Sequence, residues 1–328
     1  MGDSRSSARR FLADANAASD DIHERWAADN EQWWDWYLTL AYDDGPGEPV
    51  DVPPLPELPD LSLEALEAEL AVPYDLTAGA IGDFRREGYV KLPKVCSPAA
   101  LLTLRRRFEA LFAESPPVVM GFPSLEMMWT HDPVCRAFVV SPRLAGIAAG
   151  LLGAAAVRLY HDNALCKLPG AGRTPWHYDA HHYPIASENV VTLWAPLQPT
   201  PRPMGPLAFA EGIEAWRLVA DLAFSKFDDS YDRGIAQALQ RSQVGLHDEG
   251  FALGTVSFHH TRSLHTAGAN RTSLARMALA TTYLEDGARL VDEPTLISGD
   301  FEKFMPGIGP GDVIASPLNP VLFPEESS

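Results

Sequence analysis

The sequence predicts a mainly β domain, an antiparallel barrel or jelly roll, with helices gathered ahead of it. From Ala156 onward, short runs of β-branched and aromatic residues alternate with Pro- and Gly-bearing turns. That texture belongs to antiparallel strands rather than to βαβ units. Before that point apolar residues recur at helical spacing, as in Leu101, Leu104, Phe108 and Leu111. The 328 residues are 46% hydrophobic and 21% charged, a globular balance with enough chain for a core that needs no covalent staples.

Residues 1–60 form a leading segment. Within it, 9–42 reads as a helix in which Trp26, Trp33, Trp34, Trp36, Tyr37 and Leu40 interrupt an acidic pattern. Such a stripe packs on the main domain, joins two copies of the chain as a homodimer, or forms part of a lid over the substrate. Residues 44–60 are Pro-rich and extended, a linker. The main domain spans 61–328. Helices are expected over Ser62–Leu70 and Leu76–Glu87, followed by a strand over Gly88–Leu92. Ser97 caps a further helix from Pro98 to Ala113, with proline in its first turn. Helix Pro142–Leu152 closes on Gly153. Strands are expected at Val157–Leu168, Val190–Leu197, Leu207–Ala210, Thr255–His260 and Ala275–Leu284. An acidic, partly helical insertion occupies 214–250, and the Pro- and Gly-rich tail from Phe304 is expected to lack regular structure.

The net charge of −18 and the lack of a basic stripe argue against nucleic acid as a partner. Arg105, Arg106 and Arg107 read as the solvated side of a helix. No apolar run is read as long enough to span a membrane, Ala145–Val157 coming nearest, so no membrane partner is expected. Cys96, Cys135 and Cys166 form no C-x-x-C pair, and no apolar leader is evident. A cytoplasmic compartment is therefore expected.

The chemistry is carried by few residues. The segment TPWHYDAHHYP contains the chain's only His-x-Asp, His177 and Asp179. Residues two apart on an extended strand share a side, so both can reach one ion. A third ligand must come from a distant strand, and SFHHTRSLHTAGANRTSLARMALATTY offers His259, His260 and His265. Two imidazoles and a carboxylate leave three positions of an octahedron open, enough for a chelating 2-oxo acid and O2. Such a co-substrate needs a cation for its far carboxylate. Arg276 opens a strand, with small Ala278 and Ala280 on the same face. His247-x-Glu249 is a rival metal pair read as solvated loop, and His181 and His182 as supporting or exposed side chains.

The chain resembles the phytanoyl-CoA dioxygenase family of iron(II)/2-oxoglutarate oxygenases from about Leu76 to Tyr283. The likeness rests on IGDFRREGYVKLPKVCSPAALLTLRRRFEALF, on CKLPGAGRTPWHYDAHHYP with Lys167 ten residues before His177, on NVVTLWAPLQ followed by GPLAFAEG, and on LHTAGANRTSLARMAL, in which Asn270 and Arg276 follow His265 by five and eleven residues. The resemblance implies a double-stranded β-helix with helices packed outside. It implies that Fe(II) sits on His177, Asp179 and His265, and that Arg276 takes the far carboxylate of 2-oxoglutarate. It also brings Trp194 and Thr192 near the co-substrate, with Lys167 and either Asn163 or His161. Three departures stand out: Gly254–Thr255 replaces the usual Gly-Asp, AEGIEA the usual Pro-Gly-Ser-His, and Ala267 the usual Ser.

The expected reaction is hydroxylation of an unactivated C–H bond of a small molecule, in specialised metabolism, with O2 consumed. Desaturation, epoxidation and ring formation would use the same site. Asp179 speaks against halogenation, for which relatives carry Gly or Ala there. A cupin-like isomerase or lyase would keep the ligands but have no use for Arg276, and a non-catalytic binding protein would tolerate losing a ligand. Trp216, Phe224, Phe227 and Tyr231 in the insertion are expected to line or cover the substrate pocket.

Overall fold

A computed structural model describes residues 49–115, 122–224, 229–294 and 301–324. The aromatic helix expected over 9–42, its suggested role in a dimer, and Phe227 lie outside the described residues.

Helix α1 (Leu63–Ala71) and helix α2 (Ala78–Glu87) start where the hydroxyls of Ser62 and Thr77 accept the backbone N–H three residues on. α2 ends on Gly88 at φ 79°, which turns the chain into β1 (Tyr89–Leu92). Helix α3 (Pro98–Glu114) is capped by Ser97, and the short strand β2 (Ser124–Glu126) follows. Helix α4 (Pro133–Val139) was not legible from side-chain spacing. Its Val, Cys and Phe are poor helix formers, and it is started by the Asp132 carboxylate accepting from Cys135 N, with Pro133 in its first turn. Helix α5 (Pro142–Leu152) ends on Gly153 as expected. By length and composition alone, Pro133–Leu152 would cross a membrane, where no such run was expected. The stretch is two helices broken at Val140–Ser141, and its apolar side chains lie in the core.

The strands that follow are β3 (Val157–Lys167), β4 (Thr174–His177), β5 (Val190–Pro196) and β6 (Leu207–Ala210). After helix α6 (Ser230–Arg241) come β7 (Leu246–His247), β8 (Val256–His260), β9 (His265–Ala267), β10 (Arg276–Glu285) and β11 (Val321–Phe323). They form two antiparallel sheets. The larger runs β1-β8-β5-β10-β3-β11, with β2 also on β3, and the smaller runs β4-β9-β6-β7. Neighbours that are distant in sequence and a second sheet facing the first make this the jelly roll that the sequence predicts. The tail is not wholly irregular, since β11 pairs with β3. The insertion is not a separate loop either: β7 extends the smaller sheet through Phe209–His247 pairing.

The two faces of the larger sheet do different work. One carries Val191, Leu193, Phe258, Met277, Leu279 and Tyr283 against α1–α5, where Leu101, Leu104 and Phe108 are fully buried. The other carries Trp194 and Ala278 toward Leu207, Phe209 and Ala267 of the smaller sheet. β10 is buried on both faces, which is why its sequence does not alternate. Arg105 departs from expectation. It is only 2% exposed, donates to the Gln198 side chain and the Ala275 carbonyl, and pairs with Glu109 at 3.0 Å. An arginine among leucines thus ties α3 to the strand ends instead of facing water.

The turn entering β6 is a tight point. Gly205 sits at φ 71°, and a Cβ there would lie 2.1 Å from the Gly268 carbonyl oxygen. Gly205→Ala is therefore expected to destabilise the fold by at least about 2 kcal/mol, through both positive φ and backbone collision. The urea midpoint measures this. Gly268→Ala, whose Cβ would meet Gly205 at 3.2 Å, should cost less.

Candidate active site

His177 and His265 face each other as register partners on β4 and β9, with Phe209 of β6 opposite His265 on its other side. β4 ends at His177, and Asp179 opens a single 3-10 turn, Asp179–His181. The carboxylate is thus not on the strand itself. Tyr178 remains extended (φ −136°, ψ 138°), so the two-residue spacing still presents His177 and Asp179 to one side. One potential ligand atom from each of His177, Asp179 and His265 lies within 4.8 Å of the others. The Nε2 atoms of His177 and His265 stand 3.8 and 3.7 Å from Asp179 Oδ1.

The backbone sets the rings. Nδ1 of His177 is 2.9 Å from the Pro175 carbonyl and Nδ1 of His265 is 3.0 Å from that of Ser263. A carbonyl can only accept, so each proton sits on Nδ1 and each Nε2 lone pair points inward. Burial holds both imidazoles below their ordinary pKa, against the opposing pull of Asp179. Burial alone would raise Asp179. Hydrogen bonding to His259 and the surrounding imidazoles of His265, His259 and His177 outweigh it, holding the carboxyl well below the usual range. Neutral imidazoles beside an ionised carboxylate suit a divalent cation, and three protein ligands leave positions open.

Of the three histidines offered downstream, the other two lie elsewhere. His259 Nε2 approaches the other carboxylate oxygen, Oδ2, at 3.4 Å. His260 Nδ1 accepts from the Arg262 backbone N–H at 3.0 Å.

A second feature lies along β10. Arg276 is paired in register with Lys167 of β3, and both are 1% exposed. Arg276 donates to the Gly205 carbonyl, while its buried Nε has no partner among the described residues. Lys167 Nζ donates to Thr174 Oγ1 at 3.1 Å and to the Gly268 carbonyl at 2.9 Å. Asn270 shapes this corner, donating to the carbonyls of Lys167 and Leu274. Among the described residues no carboxylate pairs with either cation. Burial lowers Lys167 well below its usual value, with Arg276 and Arg173 adding to the effect, and it pushes Arg276 to about 10. Two buried basic side chains with no acid beside them among the described residues would suit an anion, whose charge would offset the cost of burying theirs, and an arginine fork suits a carboxylate.

The face of β10 leads from that pair toward the three potential ligands through Ala278, Ala280 and Thr282. Across from them are Trp194 and Thr192 on β5, and Leu165, Asn163 and His161 on β3. Trp194 lies 5.4 Å from the Arg276 guanidinium. The Thr192 hydroxyl is engaged with Asp179 Oδ2 at 2.9 Å and with Thr282 at 3.1 Å. Asn163 Oδ1 and His161 Nδ1 are buried without partners among the described residues. Sequence reasoning did not single out Thr282, although it lies six residues beyond Arg276 on the same face.

The insertion stands over the ligand turn. Phe224 and Tyr231 each approach the His181 ring at 5.4 Å, and Trp216 lies 6.3 Å from Tyr178. Asp232 of α6 fastens β4 by accepting from Arg173 and, at 2.7 Å, from Trp176 N. The rival pair His247 and Glu249 is 3.8 Å apart, but His247 belongs to β7 rather than to a solvated loop.

The family model described as phytanoyl-CoA dioxygenase (PhyH) matches residues 84–278. An L-proline trans-4-hydroxylase of Streptomyces griseoviridis is 26% identical over 250 residues, 68% of this chain and 93% of that protein. A probable alpha-ketoglutarate-dependent hypophosphite dioxygenase of Stutzerimonas stutzeri is 25% identical over 39% of this chain and 45% of its own length. Among solved structures, the non-heme alpha-ketoglutarate-dependent carbocyclase SnoK from nogalamycin biosynthesis superposes with TM-score 0.62 at 24% identity, covering 76% of this chain and 99% of that one. EctD from S. alaskensis with bound Fe gives 0.56 at 19% identity, covering 72% and 87%. These two likenesses concern the fold.

The clasp between α6 and β4 is testable. Asp232 is buried and its Arg173 partner about one-third exposed, so Asp232→Asn should cost about 2 kcal/mol, below the range for a fully buried pair. A guanidinium chloride unfolding curve with an unchanged slope would show it.

Proposed function

The chain belongs to the phytanoyl-CoA dioxygenase family, and from that premise we propose that it hydroxylates an unactivated C–H bond of a small molecule in specialised metabolism, with its iron held by His177, Asp179 and His265. The observation that carries this reading is the pairing of two unlike sites along one interior. Three side chains that could hold a metal ion and leave positions open lie at one end, and two buried basic side chains with no acid beside them among the described residues lie at the other. A cupin-like isomerase or lyase would bury Lys167 and Arg276 for nothing. A binding protein on a degenerate fold would have no reason to keep every ligand.

When bound, iron(II), 2-oxoglutarate and O2 together supply oxidation of a C–H bond coupled to decarboxylation of the co-substrate to succinate. The protein's residues do the rest. His177 and His265 offer Nε2 lone pairs because their Nδ1 protons are spent on backbone carbonyls. Asp179 offers a charge that stays ionised. Arg276 takes the far carboxylate of 2-oxoglutarate through its fork, Lys167 adds a second charge, and Ala278 and Ala280 leave the space between. Trp194 shields that space from water, and Asn163 offers a polar contact along the same wall. Trp216, Phe224 and Tyr231, above the ligand turn, cover the bound substrate. The L-proline trans-4-hydroxylase relative supports hydroxylation of a small molecule. The divergent turn AEGIEA and the segment ahead of the family match support a specialised substrate.

The test is an anaerobic titration of the iron(II) protein with 2-oxoglutarate, followed by the weak visible band of the chelate. The intact protein should give the band and, with O2, succinate. Arg276→Ala should raise the co-substrate Kd about 100-fold, the loss of a charge-assisted pair near 3 kcal/mol, and Lys167→Met about 10-fold. Asp179→Ala should abolish O2-dependent succinate formation. If the intact protein shows no band, the oxygenase reading fails.

A further inference from the structure

The proposed ligand set leaves a third imidazole unexplained. His259 is buried on β8, opposite Thr192 of β5 and Tyr89 of β1. Its ring is wedged between Phe209 at 5.6 Å and His265 at 4.6 Å. Nε2 lies 3.4 Å from Asp179 Oδ2, the oxygen that also accepts from the Thr192 hydroxyl at 2.9 Å. Nδ1 is buried with no partner among the described residues. A neutral imidazole carries one proton. On Nδ1 it would be an unsatisfied buried donor, while on Nε2 it meets a carboxylate, so it belongs on Nε2. Asp179 is thereby divided: Oδ1 faces the Nε2 atoms of His177 and His265, and Oδ2 faces two donors.

We infer that His259 is a positioning residue which, with Thr192, occupies Oδ2 of Asp179 and makes the carboxylate a one-oxygen ligand. The inference rests on the reading that His177, Asp179 and His265 hold the metal. A carboxylate free to rotate can bind an ion through both oxygens and would fill a position that the co-substrate or O2 requires. His259 therefore acts on how many positions stay open, not by ligating. Its Nε2 approaches Oδ2, whereas the ligand atoms of the proposed trio cluster among themselves.

The experiment uses the full chain, cobalt(II) as an oxidation-resistant probe, and calorimetry for two steps: cobalt(II) into metal-free protein, then 2-oxoglutarate into the loaded protein. The wild type should bind one cobalt(II) per chain. His259→Phe should raise the cobalt(II) Kd about 10-fold, as loss of a hydrogen-bond partner behind a metal ligand does, and weaken 2-oxoglutarate binding as well. His259→Gln keeps an N–H near the Nε2 position and should stay within about threefold of wild type. His259→Asn, whose amide is one carbon short, should behave like the Phe variant and serves if that variant does not fold. Wild-type cobalt(II) binding by both the Phe and Asn variants overturns the inference. So does a Gln variant as weak as Asn when both melt at the wild-type temperature, because packing alone would then explain the loss. If the wild type binds no cobalt(II), or Asp179→Ala binds it unchanged, the three-ligand reading itself falls.

Discussion

One carboxylate organises this interior. Asp179 is buried, and an isolated ionised carboxyl there would be among the costliest groups a core can hold. Three imidazoles and a hydroxyl surround it, each delivered by a different element: His177 by β4, His265 by β9, His259 by β8 and Thr192 by β5. Both sheets must close for that shell to form. The pairing of β4 with β9 is set by His177 opposite His265, and that of β5 with β8 by Thr192 opposite His259. A one-residue slip of either would turn the ring or hydroxyl to the other face and strand the charge. The jelly-roll register and the chemistry of the site are in this sense one constraint.

Lys167 and Arg276 impose the opposite constraint. They are cations in the core with no acid among the described residues, and carbonyls of Gly205 and Gly268 satisfy them only partly. Those carbonyls belong to two glycine turns packed almost backbone to backbone. The close approach that makes Gly205 intolerant of a side chain thus also brings the carbonyls to the cations. An arrangement that charges the interior without neutralising it lowers the stability of the empty protein, and an anion bound there stabilises the folded state by mass action.

Much of this was legible in the sequence, for identifiable reasons. The strands around Val190 and Leu207 and the helix after Ser97 announce themselves by β-branched runs, caps and turn residues, signals that act within a few residues. The spacing of His177 and Asp179 survives because Tyr178 stays extended, although the strand that was to carry both ends at His177, two residues short of Asp179. What escaped depends on contacts made across the fold. Arg105 looks solvated in a run of three arginines, yet Gln198, ninety-three residues on, draws it inside. β7 and β11 are too short to carry a periodicity, and they are strands only because Phe209 and Val157 offer edges to pair with. His259, His260 and His265 were indistinguishable by type. The family resemblance singled out His265, and the register of β8 and β9 shows where each goes: one to a carboxylate oxygen, one to a backbone N–H and one to the cluster of potential ligands.

Charge magnitudes decide how an acidic protein can offer a site for a dianion. The net charge is −18, which repels a dicarboxylate approaching through solvent. Exposed charges are screened beyond about 8 Å at physiological salt, and their attraction or repulsion at 4 Å in water is only about 1 kcal/mol per pair. Lys167 and Arg276 act in a buried site, where the same charge at the same distance is worth about four times more at the effective dielectric of such positions. The local pair therefore outweighs a diffuse surface of the opposite sign once the ligand is inside. For the proposed co-substrate, the overall charge would govern encounter and the buried pair retention. An interior cation pair would be effective in an acidic chain where no acid lies close enough to neutralise it, and the strand register that sets Arg276 opposite Lys167 gives neither an acidic neighbour across that ladder.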